Sequence, residues 1–584
     1  MADVQKLLNS ACGEKMRVLL VSVNASYMHT NVAIRALKVY AQKYYPLVME
    51  NVQIELAEYT INQPAGEVLR SIGFSQADAV LFSTYIWNAE YVCKLIPEIK
   101  KILPACVVGA GGPEFGFSAE KYLNAYCDLD FVIFGEGEIV FSQLMKVFAD
   151  GKDYASVKGI YFRSGNGKIT YSGNQALIEN LDELPFAYPE ILTGQFDPDH
   201  KIYYYESTRG CPFSCAYCLS SLDRRVRFKS LKKVQEELKI FLDANVKLVK
   251  FVDRTYNLNP DRYIPIWQFI LENHNGKTMF HFEIEAEYFS EEALDFLQKV
   301  PAGVMQFEMG IQSSNKQTLK AVNRSDNIEA LAKKISRIPR TIHQHLDLIA
   351  GLPYEDLESF GRSYDFVMNL KPDALQLGFL KILNGTQMAE MALKNGWKWM
   401  ESPVYETFST PYLSFKDMAF LKDVEIITDA FWNRKSFSYT MAYIFRKVRP
   451  WKFISAFTEF AESQGAFSQA RRELYWFSLL YSFVKSYRDY FDVESVDLNL
   501  VVNLLRYDFV RSGKKGNFPS WYEHRYNKEK HRLLMDKDCL SGSTRIKFAM
   551  SEYEVFDYDV TSEIPENNPG KFELLIKYGQ PQAN

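Results

Sequence analysis

Three cysteines, Cys211, Cys215 and Cys218, lie within the short run CPFSCAYC. A structural zinc site takes four ligands, whereas an iron–sulfur cubane held by three thiolates keeps one iron open to a further ligand. The spacing therefore predicts a metal centre with a vacant position. Two alternatives are three buried thiols and a zinc site completed by a distant histidine.

The other five cysteines are scattered singly along the chain. They resemble core residues, because free cysteine is among the most buried residue types, and they are Cys12, Cys93, Cys106, Cys127 and Cys539. No second C-x2-C half accompanies the first motif, which disfavours a zinc ribbon. The cluster interpretation is therefore favoured.

With Tyr217 directly before the last cysteine, the motif resembles the signature of the radical S-adenosylmethionine superfamily. The resemblance implies a [4Fe-4S] cluster bound by the three cysteines as metal ligands and catalytic residues. S-adenosylmethionine would chelate the open iron, and reductive cleavage would release a 5′-deoxyadenosyl radical. Tyr217 would contact the cofactor.

Six strand–helix units follow between residues 201 and 400 and predict a partial (β/α)6 TIM-like barrel, with its site at the carboxyl ends of the strands. The predicted strands are 203–206, 248–253, 280–286, 307–311, 345–350 and 375–380. The cysteine run follows the first of these strands, so the barrel would place the three thiols at the carboxyl ends of the strands.

Several strand ends resemble cofactor-binding elements of the same superfamily. Gly310, Gln312 and Ser313 match a Gly-Ile-Glu-Ser element, with glutamine in place of glutamate, and Gly351 lies in a fifth-strand element that packs on adenine. A carboxylate suits a vicinal diol, so Glu283 or Glu285 could accept hydrogen bonds from the ribose. The alternative is that these residues are ordinary strand ends and solvated glutamates.

After the second predicted strand, Asp253, Tyr256 and Asn257 would face the same cavity and could bind the substrate. A charged pair at a strand end, here Asp253 beside Arg254, is equally consistent with a surface salt bridge.

Residues 1–150 alternate apolar strands with helical segments, which predicts a doubly wound, Rossmann-like parallel sheet. Ligands bind such sheets at the carboxyl ends of the strands. The region resembles the cobalamin-binding domain that precedes many radical S-adenosylmethionine barrels. The implied cofactor-contacting residues are Ser83, Thr84, Gly111, Gly112, Pro113, Gly135 and Glu136.

The loop after the first strand departs from one version of that domain. An Asp-x-His-x-x-Gly motif there supplies a lower axial histidine to cobalt, but His29 has neither the aspartate two residues before it nor the glycine three after it. A bond between His29 and cobalt is therefore not expected. Capping the next helix or lining the loop is the expected role.

The remaining segments are a linker and a carboxyl-terminal extension. Residues 151–200 predict a linker with a hairpin (159–163 and 168–172), and residues 401–584 predict a mainly helical domain. Its predicted helices are 417–432 and 466–491, and its predicted strands are 544–550 and 572–577. The whole resembles the extension found in one branch of cobalamin-dependent radical enzymes.

Composition limits the possible partners. A net charge of −4 gives no general attraction to nucleic acid or anionic membrane, and no apolar run approaches the ~20 residues that span a bilayer. Residues 511–532 mix basic and aromatic side chains that could grip RNA, but a loop between elements is the simpler interpretation. A cytoplasmic, anaerobic setting suits reduced thiols and an oxygen-sensitive cluster.

These observations predict a cobalamin-dependent radical S-adenosylmethionine methyltransferase that modifies an unactivated carbon of a small molecule or peptide. The family resemblance implies a flavodoxin or ferredoxin as electron donor. The alternatives are rearrangement, cyclisation or oxidation with the same cofactors, RNA modification, and a non-catalytic cobalamin or redox sensor.

Overall fold

A computed structural model describes residues 15–486, 496–513, 518–537 and 550–578. The predicted α/β architecture is confirmed: a Rossmann-like sheet and a partial barrel are followed by a mainly helical region. No helix in the described ranges is both long and apolar enough to cross a membrane.

The first sheet has seven strands in the order β2-β1-β3-β4-β5-β6-β7. Its strands are β1 Met16–Asn24, β2 Val52–Thr60, β3 Ala79–Ser83, β4 Val107–Gly111, β5 Phe131–Ile133, β6 Ile160–Arg163 and β7 Ile169–Tyr171. The first five are parallel, and the hairpin predicted in the linker adds β6 and β7 antiparallel to their edge. The hairpin predicted within the linker 151–200 thus extends the first sheet by two strands.

Helices cover both faces of this sheet, which explains the apolar runs 18–21 in β1 and 79–82 in β3. Val32–Tyr44 and Gly137–Ala149 pack on one face, and Ala65–Ser75 and Ala89–Ile102 on the other. The shorter helices are Pro46–Met49, Pro113–Phe117 and Ala119–Ala125.

The second sheet contains six parallel strands in chain order, as predicted for the partial barrel. They are β8 Ile202–Tyr205, β11 Leu248–Phe251, β12 Met279–Ile284, β13 Met305–Gln312, β14 His343–Ala350 and β15 Ala374–Phe379. Buried residues alternate with half-buried ones along β13 and β14. Phe282 and Phe307 pack outward on Trp267, so the alternate, polar set faces the inside of the barrel.

Helices connect these strands and cover the outside of the barrel. They are Pro189–Leu192, Leu231–Asp243, Pro260–Glu272, Glu291–Leu297, Lys316–Ala321, Ile328–Ile335, Leu357–Asn369 and Gln387–Lys394. Between β8 and the helix Leu231–Asp243, two short antiparallel strands, β9 Thr208–Arg209 and β10 Arg227–Phe228, enclose the cysteine run.

The last third begins with a hairpin, β16 Lys398–Trp399 and β17 Thr407–Ser409, and ends with the antiparallel pair β18 Ser551–Tyr558 and β19 Pro569–Lys577. Its helices are Phe415–Thr428, Ser438–Lys447, Pro450–Ser463, Glu473–Ser486, Leu498–Arg511 and Lys528–Lys537. This region packs on the barrel helix Leu357–Asn369, where Trp451 contacts Phe360 and Tyr364.

Of three sequence predictions for this region, one is wrong, one is confirmed and one lies almost entirely outside the described residues. The helix predicted from residue 466 starts at Glu473, because a short 3-10 turn and an extended stretch precede it, and residues 487–495 lie outside the described ranges. The strand 572–577 is confirmed within β19, but it pairs with residues 551–558. The predicted strand 544–550 lies outside the described residues except for Met550, which is in a turn.

The basic, aromatic segment is committed to internal contacts where it is described. Trp521 stacks on Tyr481 with ring centroids 4.8 Å apart, and the Tyr522 hydroxyl donates to Glu554 at 2.7 Å. Arg525 pairs with Asp557 at 2.6 Å. These partners favour packing over RNA binding; Lys514 and Lys515 lie outside the described residues.

Candidate active site between the two sheets

The cysteine run leaves the carboxyl end of β8 and is closed by the β9–β10 ladder, which pairs Arg209 with Arg227. Gly210 has a φ of 98°, and a Cβ there would lie 1.8 Å from the carbonyl oxygen of Arg225. Only glycine fits this position, so the residue before Cys211 is set by the closed hairpin.

The three cysteines differ in exposure. Cys211 is buried, with its Sγ 3.6 Å from Thr255 Oγ1, whereas Cys215 and Cys218 are half-buried. Burial raises the pKa of the Cys215 thiol, and the Arg324 guanidinium, 3.9 Å from its Sγ, opposes that shift.

Three thiols on one loop beside a guanidinium fit an anionic iron–sulfur cluster. Among the described residues, no three His, Cys, Asp or Glu side chains converge on a single metal-ion position. A cubane does not require such convergence, because each thiolate bonds a different iron atom.

Arg324 is a site residue that the sequence prediction missed. Its guanidinium donates to Glu285 at 2.6 Å and to the Gly310 carbonyl at 2.7 Å, so it joins two predicted cofactor positions to Cys215. It follows Asn323, which has a positive φ of 58°, in the turn after the helix Lys316–Ala321. No motif surrounds it, and only the fold brings it to the cysteine loop.

The two predicted glutamates of β12 and the following turn lie beside the inside of the barrel. Burial raises the pKa of Glu283 to about 7, and Arg254, whose Nη1 lies 4.0 Å from Glu283 Oε1, opposes it. Burial also raises the pKa of Glu285, against the pull of Arg324. Neither carboxylate is fully solvated.

Two buried oxygens at this edge have no hydrogen-bond partner: Gln312 Oε1 and Asp347 Oδ1. Gln312 follows a bulge in β13 and has a positive φ of 67°. Burial, followed by repulsion from Glu308 and Glu283, raises the pKa of Asp347 well above its usual range. Unpaired buried acceptors are costly, so these positions fit a hydroxyl-bearing ligand.

The other predicted positions on β13 and β14 have structural partners. Ser313 Oγ donates to buried Glu355 at 2.6 Å. Gly351 has a φ of 94°, and a Cβ there would meet Met418 at 3.3 Å, so the carboxyl-terminal region packs over this turn. Tyr217 lies against an apolar cluster that includes Leu352.

The three residues predicted to bind substrate are all buried, and each has a structural place. Asp253 accepts hydrogen bonds from the Ser207 amide at 2.8 Å and from its hydroxyl at 2.5 Å. Asn257 exchanges two 3.0 Å hydrogen bonds with the backbone of Glu285. Tyr256 packs on Phe282 in the outer aromatic core rather than facing the inside of the barrel. The prediction that they bind substrate has no supporting contact.

The carboxyl ends of β3 and β4 form an interlocked pair of loops. Thr84 Oγ1 donates to the Gly111 carbonyl at 2.7 Å, and Ser83 Oγ accepts from Asn31 at 3.2 Å. Gly112 has a φ of 102°, and a Cβ there would lie 2.4 Å from the Thr84 carbonyl oxygen. Pro113 then starts the helix Pro113–Phe117.

Gly111, Gly112 and Gly135 lie at the carboxyl ends of β4 and β5 and carry no side chains; we call their backbone the glycine floor. A Cβ on Gly111 would meet Ile133 at 3.3 Å and one on Gly112 would lie 2.4 Å from the Thr84 carbonyl oxygen, so these two glycines permit close packing within the domain. A Cβ on Gly135 would enter open space, so Gly135 is the position that fits a large flat ring system such as a corrin.

Glu136 and Glu138, beside this floor, are ion-paired to the barrel. Arg209 contacts Glu138 at 2.8 Å and Glu136 at 3.4 Å, and Arg227 pairs with Glu136. Glu136, predicted as a cofactor contact, thus connects the two sheets.

His29 is likewise turned to the barrel. Its Nδ1 lies 2.6 Å from the Tyr204 hydroxyl on β8, and the amide of Thr30 donates to the Ile202 carbonyl. Burial lowers the pKa of His29. The ring therefore contacts the barrel through Nδ1, and the expectation that it does not bind cobalt stays a prediction.

The loops after β4 and β5 contact the barrel or the β16–β17 hairpin. Ser118 accepts from Asn384 at 3.0 Å, and buried Glu114 accepts from Tyr405. Together with the Arg209–Glu138 pair, these contacts direct the carboxyl ends of the first sheet toward those of the barrel. The cysteine loop and the glycine floor therefore lie at edges of the two sheets that face each other.

Three protein-family models match the chain. The B12-binding domain matches residues 18–145, the radical SAM superfamily matches residues 205–367, and a "protein of unknown function (DUF4080)" domain matches residues 394–572.

Several curated relatives match the amino-terminal part of the chain. An uncharacterized methyltransferase of Pyrococcus horikoshii is 27% identical over 53% of this chain and 67% of its own length. The cobalamin-dependent radical SAM methyltransferase TokK of Streptomyces tokunonensis is 24% identical over 49% of this chain and 44% of its own. An anaerobic magnesium-protoporphyrin IX monomethyl ester cyclase of Rubrivivax gelatinosus is 22% identical over 49% and 53%. The chain thus spans about half the length of the last two relatives.

Among solved structures, the cobalamin-dependent S-adenosylmethionine radical enzyme OxsB, with aqua-cobalamin and S-adenosylmethionine bound, superposes with a TM-score of 0.59 at 14% identity. The match covers 91% of this chain and 82% of that one. At this identity the likeness concerns the fold.

Proposed function

Since this chain belongs to the radical S-adenosylmethionine enzymes that carry a B12-binding domain, we propose that it transfers a methyl group to an unactivated carbon. The observation that carries the proposal is the contact of Arg209 with Glu138, which holds the cysteine loop against the glycine floor of the first sheet. A position for the cluster and S-adenosylmethionine beside a position for a corrinoid suits a reaction that uses all of these cofactors.

When bound, the cluster supplies the electron that cleaves S-adenosylmethionine, and the corrinoid supplies a transferable methyl group. Cys211, Cys215 and Cys218 would hold the cluster. Arg324 and Glu285 form an ion pair beside Cys215 and would orient the carboxylate and amino groups of S-adenosylmethionine, since each offers the opposite charge.

The unpartnered oxygens of Gln312 and Asp347 would accept hydrogen bonds from the ribose hydroxyls. Binding would then relieve two unpaired buried acceptors. On the opposite side, Gly135 would leave room for the corrin ring, while Gly111 and Gly112 would let the loops after β3 and β4 pack closely and Thr84 would fix them.

The β16–β17 hairpin would limit access of water from the side. Its Tyr405 donates to Glu114 of the first domain, while the Ile382 amide donates to the Tyr405 carbonyl. Lys422 of the next helix pairs with Glu406 at 2.6 Å. The hairpin thus joins both halves of the site, and excluding water protects reactive species.

The substrate is a small molecule or peptide, and the donor is an external one-electron reductant. A cytoplasmic setting suits the reduced thiols. The test is anaerobic reconstitution with methyl-labelled S-adenosylmethionine and candidate substrates. Label in the product together with 5′-deoxyadenosine supports methyl transfer, whereas 5′-deoxyadenosine without any methylated product from the true substrate would reject it.

Oxidative cyclisation is the second candidate, because the cyclase relative matches nearly half of this chain. Oxidative cyclisation predicts that 5′-deoxyadenosine forms together with a product that has two hydrogens fewer than the substrate and contains no labelled methyl group. A protein that binds corrinoid but never cleaves S-adenosylmethionine would instead be a sensor.

A further inference from the structure

We propose that residues 222–225, together with Phe228, form the docking site for a small acidic one-electron carrier protein. This inference rests on the proposed function, because reductive cleavage of S-adenosylmethionine consumes one electron per molecule. The carrier would be oxidised by one electron, and a cluster held by Cys211, Cys215 and Cys218 would deliver that electron to S-adenosylmethionine, whose carbon–sulfur bond breaks to leave methionine and the 5′-deoxyadenosyl radical.

The segment is attached to the cysteine loop at both ends. The Ser221 amide and hydroxyl donate to the Cys218 carbonyl at 3.2 and 2.6 Å. The backbone of Arg225 packs so closely on Gly210 that no Cβ fits between them. A protein seated on residues 222–225 would therefore sit directly beside Cys211 and Cys218.

Much of the rest of the cysteine loop is covered by the protein itself, although Pro212 is exposed. The Ala216 amide donates to Val322 at 3.1 Å, and its carbonyl accepts from Met388 at 2.8 Å. Asn323 donates to the Ser214 carbonyl at 2.9 Å. Arg209 faces the first domain. In the loop between β9 and β10, residues 222–225 form the continuous exposed stretch.

The side chains there fit an acidic partner. Arg224 is exposed, and the Arg225 side chain is 64% exposed although its Nε lies 3.3 Å from Asp223. Leu222 and Phe228 are 43% and 41% exposed, and Arg262 lies over the Phe228 ring at 5.0 Å. Exposed apolar side chains together with arginines are typical of protein interfaces.

The overall charge makes a local basic patch informative. At a net charge of −4, the chain repels an acidic protein in general, so a correctly oriented encounter needs a local excess of positive charge. Residues 222–225 contain two arginines and one aspartate, so they provide a net positive charge next to the cysteine loop, where the electron must arrive.

The experiment compares two reductants on the reconstituted full-length protein. We expect the double variant Arg224→Glu, Arg225→Glu to form 5′-deoxyadenosine at the wild-type rate with dithionite. With reduced flavodoxin its kcat/KM should fall by about tenfold at low salt. The wild-type rate with flavodoxin should decrease as salt is raised, because screening weakens the attraction.

The matched control is Lys232→Glu, Lys239→Glu on the exposed face of the helix Leu231–Asp243, which changes net charge equally. It should keep its flavodoxin-driven rate. An equal loss with both reductants would overturn the docking assignment in favour of a structural role, and no loss with flavodoxin would also overturn it. Wild-type protein that fails to cleave S-adenosylmethionine with dithionite would instead contradict the proposed function.

Discussion

Arg209 Nη2 lies 2.8 Å from Glu138 Oε1, across the boundary between the barrel and the first sheet. Arg209 immediately precedes Gly210 and Cys211, and Glu138 lies in the first turn of the helix Gly137–Ala149. The Glu138 side chain is only 6% exposed. The cysteine loop is therefore positioned against the first sheet by a buried charge pair, which sets the distance between the two halves of the site.

Glu138→Gln should lower the free energy of unfolding by about 2 kcal/mol, because it leaves Arg209 buried with less compensation. Arg209 keeps Glu206 at 2.7 Å, which limits the loss. Thermal unfolding and proteolysis of residues 172–201 measure the effect.

The control is Glu55→Gln, in an exposed 3.5 Å pair with Arg17, which should lower the free energy of unfolding by less than about 0.5 kcal/mol. Equal effects of both variants would contradict the role given to Arg209.

Cys215→Ala should abolish the cluster and leave corrinoid binding intact, because the glycine floor lies on the other sheet. Iron content and EPR of the anaerobically reconstituted protein measure the loss of the cluster, and its visible spectrum measures the retained corrinoid. Cys127→Ala, at an exposed cysteine, is the control and should retain both cofactors. Loss of corrinoid from the Cys215 variant would mean that the two sites are not separate.

Arg324→Gln should raise the dissociation constant for S-adenosylmethionine by about 10- to 100-fold, since a charge-assisted hydrogen bond contributes about 1.5–3 kcal/mol. The cluster should still form. Equilibrium dialysis and the rate of 5′-deoxyadenosine formation provide the measurements. Lys320→Gln, on the exposed face of the preceding helix, should match the wild type. Unchanged affinity in the Arg324 variant would exclude it from the cofactor site.

Tyr405→Phe should destabilise the protein by about 1–3 kcal/mol, because buried Glu114 would keep only the Tyr122 hydroxyl at 2.6 Å among its two tyrosine donors. Thermal unfolding measures the change. The anchoring of the β16–β17 hairpin should weaken with it, detectable as faster amide exchange at residues 400–409.

Tyr256→Phe should affect stability in the opposite direction from Tyr405→Phe. Its hydroxyl is buried without a partner, so removing it should leave stability unchanged or raise it by up to about 1 kcal/mol. Its activity should equal that of the wild type. A large loss of turnover at normal stability would restore Tyr256 as a substrate ligand.

Glu283→Gln should remove a pH dependence of stability. Burial raises the pKa of Glu283 from 4.5 to about 7, so the folded state holds a proton that the unfolded state releases. Wild-type stability should therefore fall as pH rises from about 4.5 to about 7 and level off above. The variant should unfold at the same temperature as the wild type near pH 4.5 and about 2 °C higher at pH 8. Exposed Glu98→Gln should show no such divergence.

Strand positions could be predicted well from the sequence, because parallel strands covered on both faces are continuous apolar runs. β1 and β3 begin at the predicted residues. The start of the helix at Glu473 was missed, because Gln469, Ala470, Arg471 and Arg472 are all compatible with a helix although none of them is helical in the fold.

Site residues that lie close together in the sequence could be predicted. Those that only the fold brings together were missed. The cysteines form one motif, whereas Arg324 reaches Cys215 from 109 residues away. Tyr256 follows the end of β11, and this position led to the prediction that its side chain faces the cavity of the barrel. Its ring instead fills the space between Phe251 and Trp267, because burying an aromatic surface outweighs one unpaired hydroxyl.

The bond between Tyr405 and Glu114 spans 291 residues and has a consequence for biosynthesis. At about 5–20 residues per second, a ribosome makes the two partners roughly 15–60 s apart. The amino-terminal domain is therefore complete, with its glycine edge still uncovered, long before the hairpin that will flank it is translated. A bulky ring could enter during that interval without any opening motion of the finished enzyme.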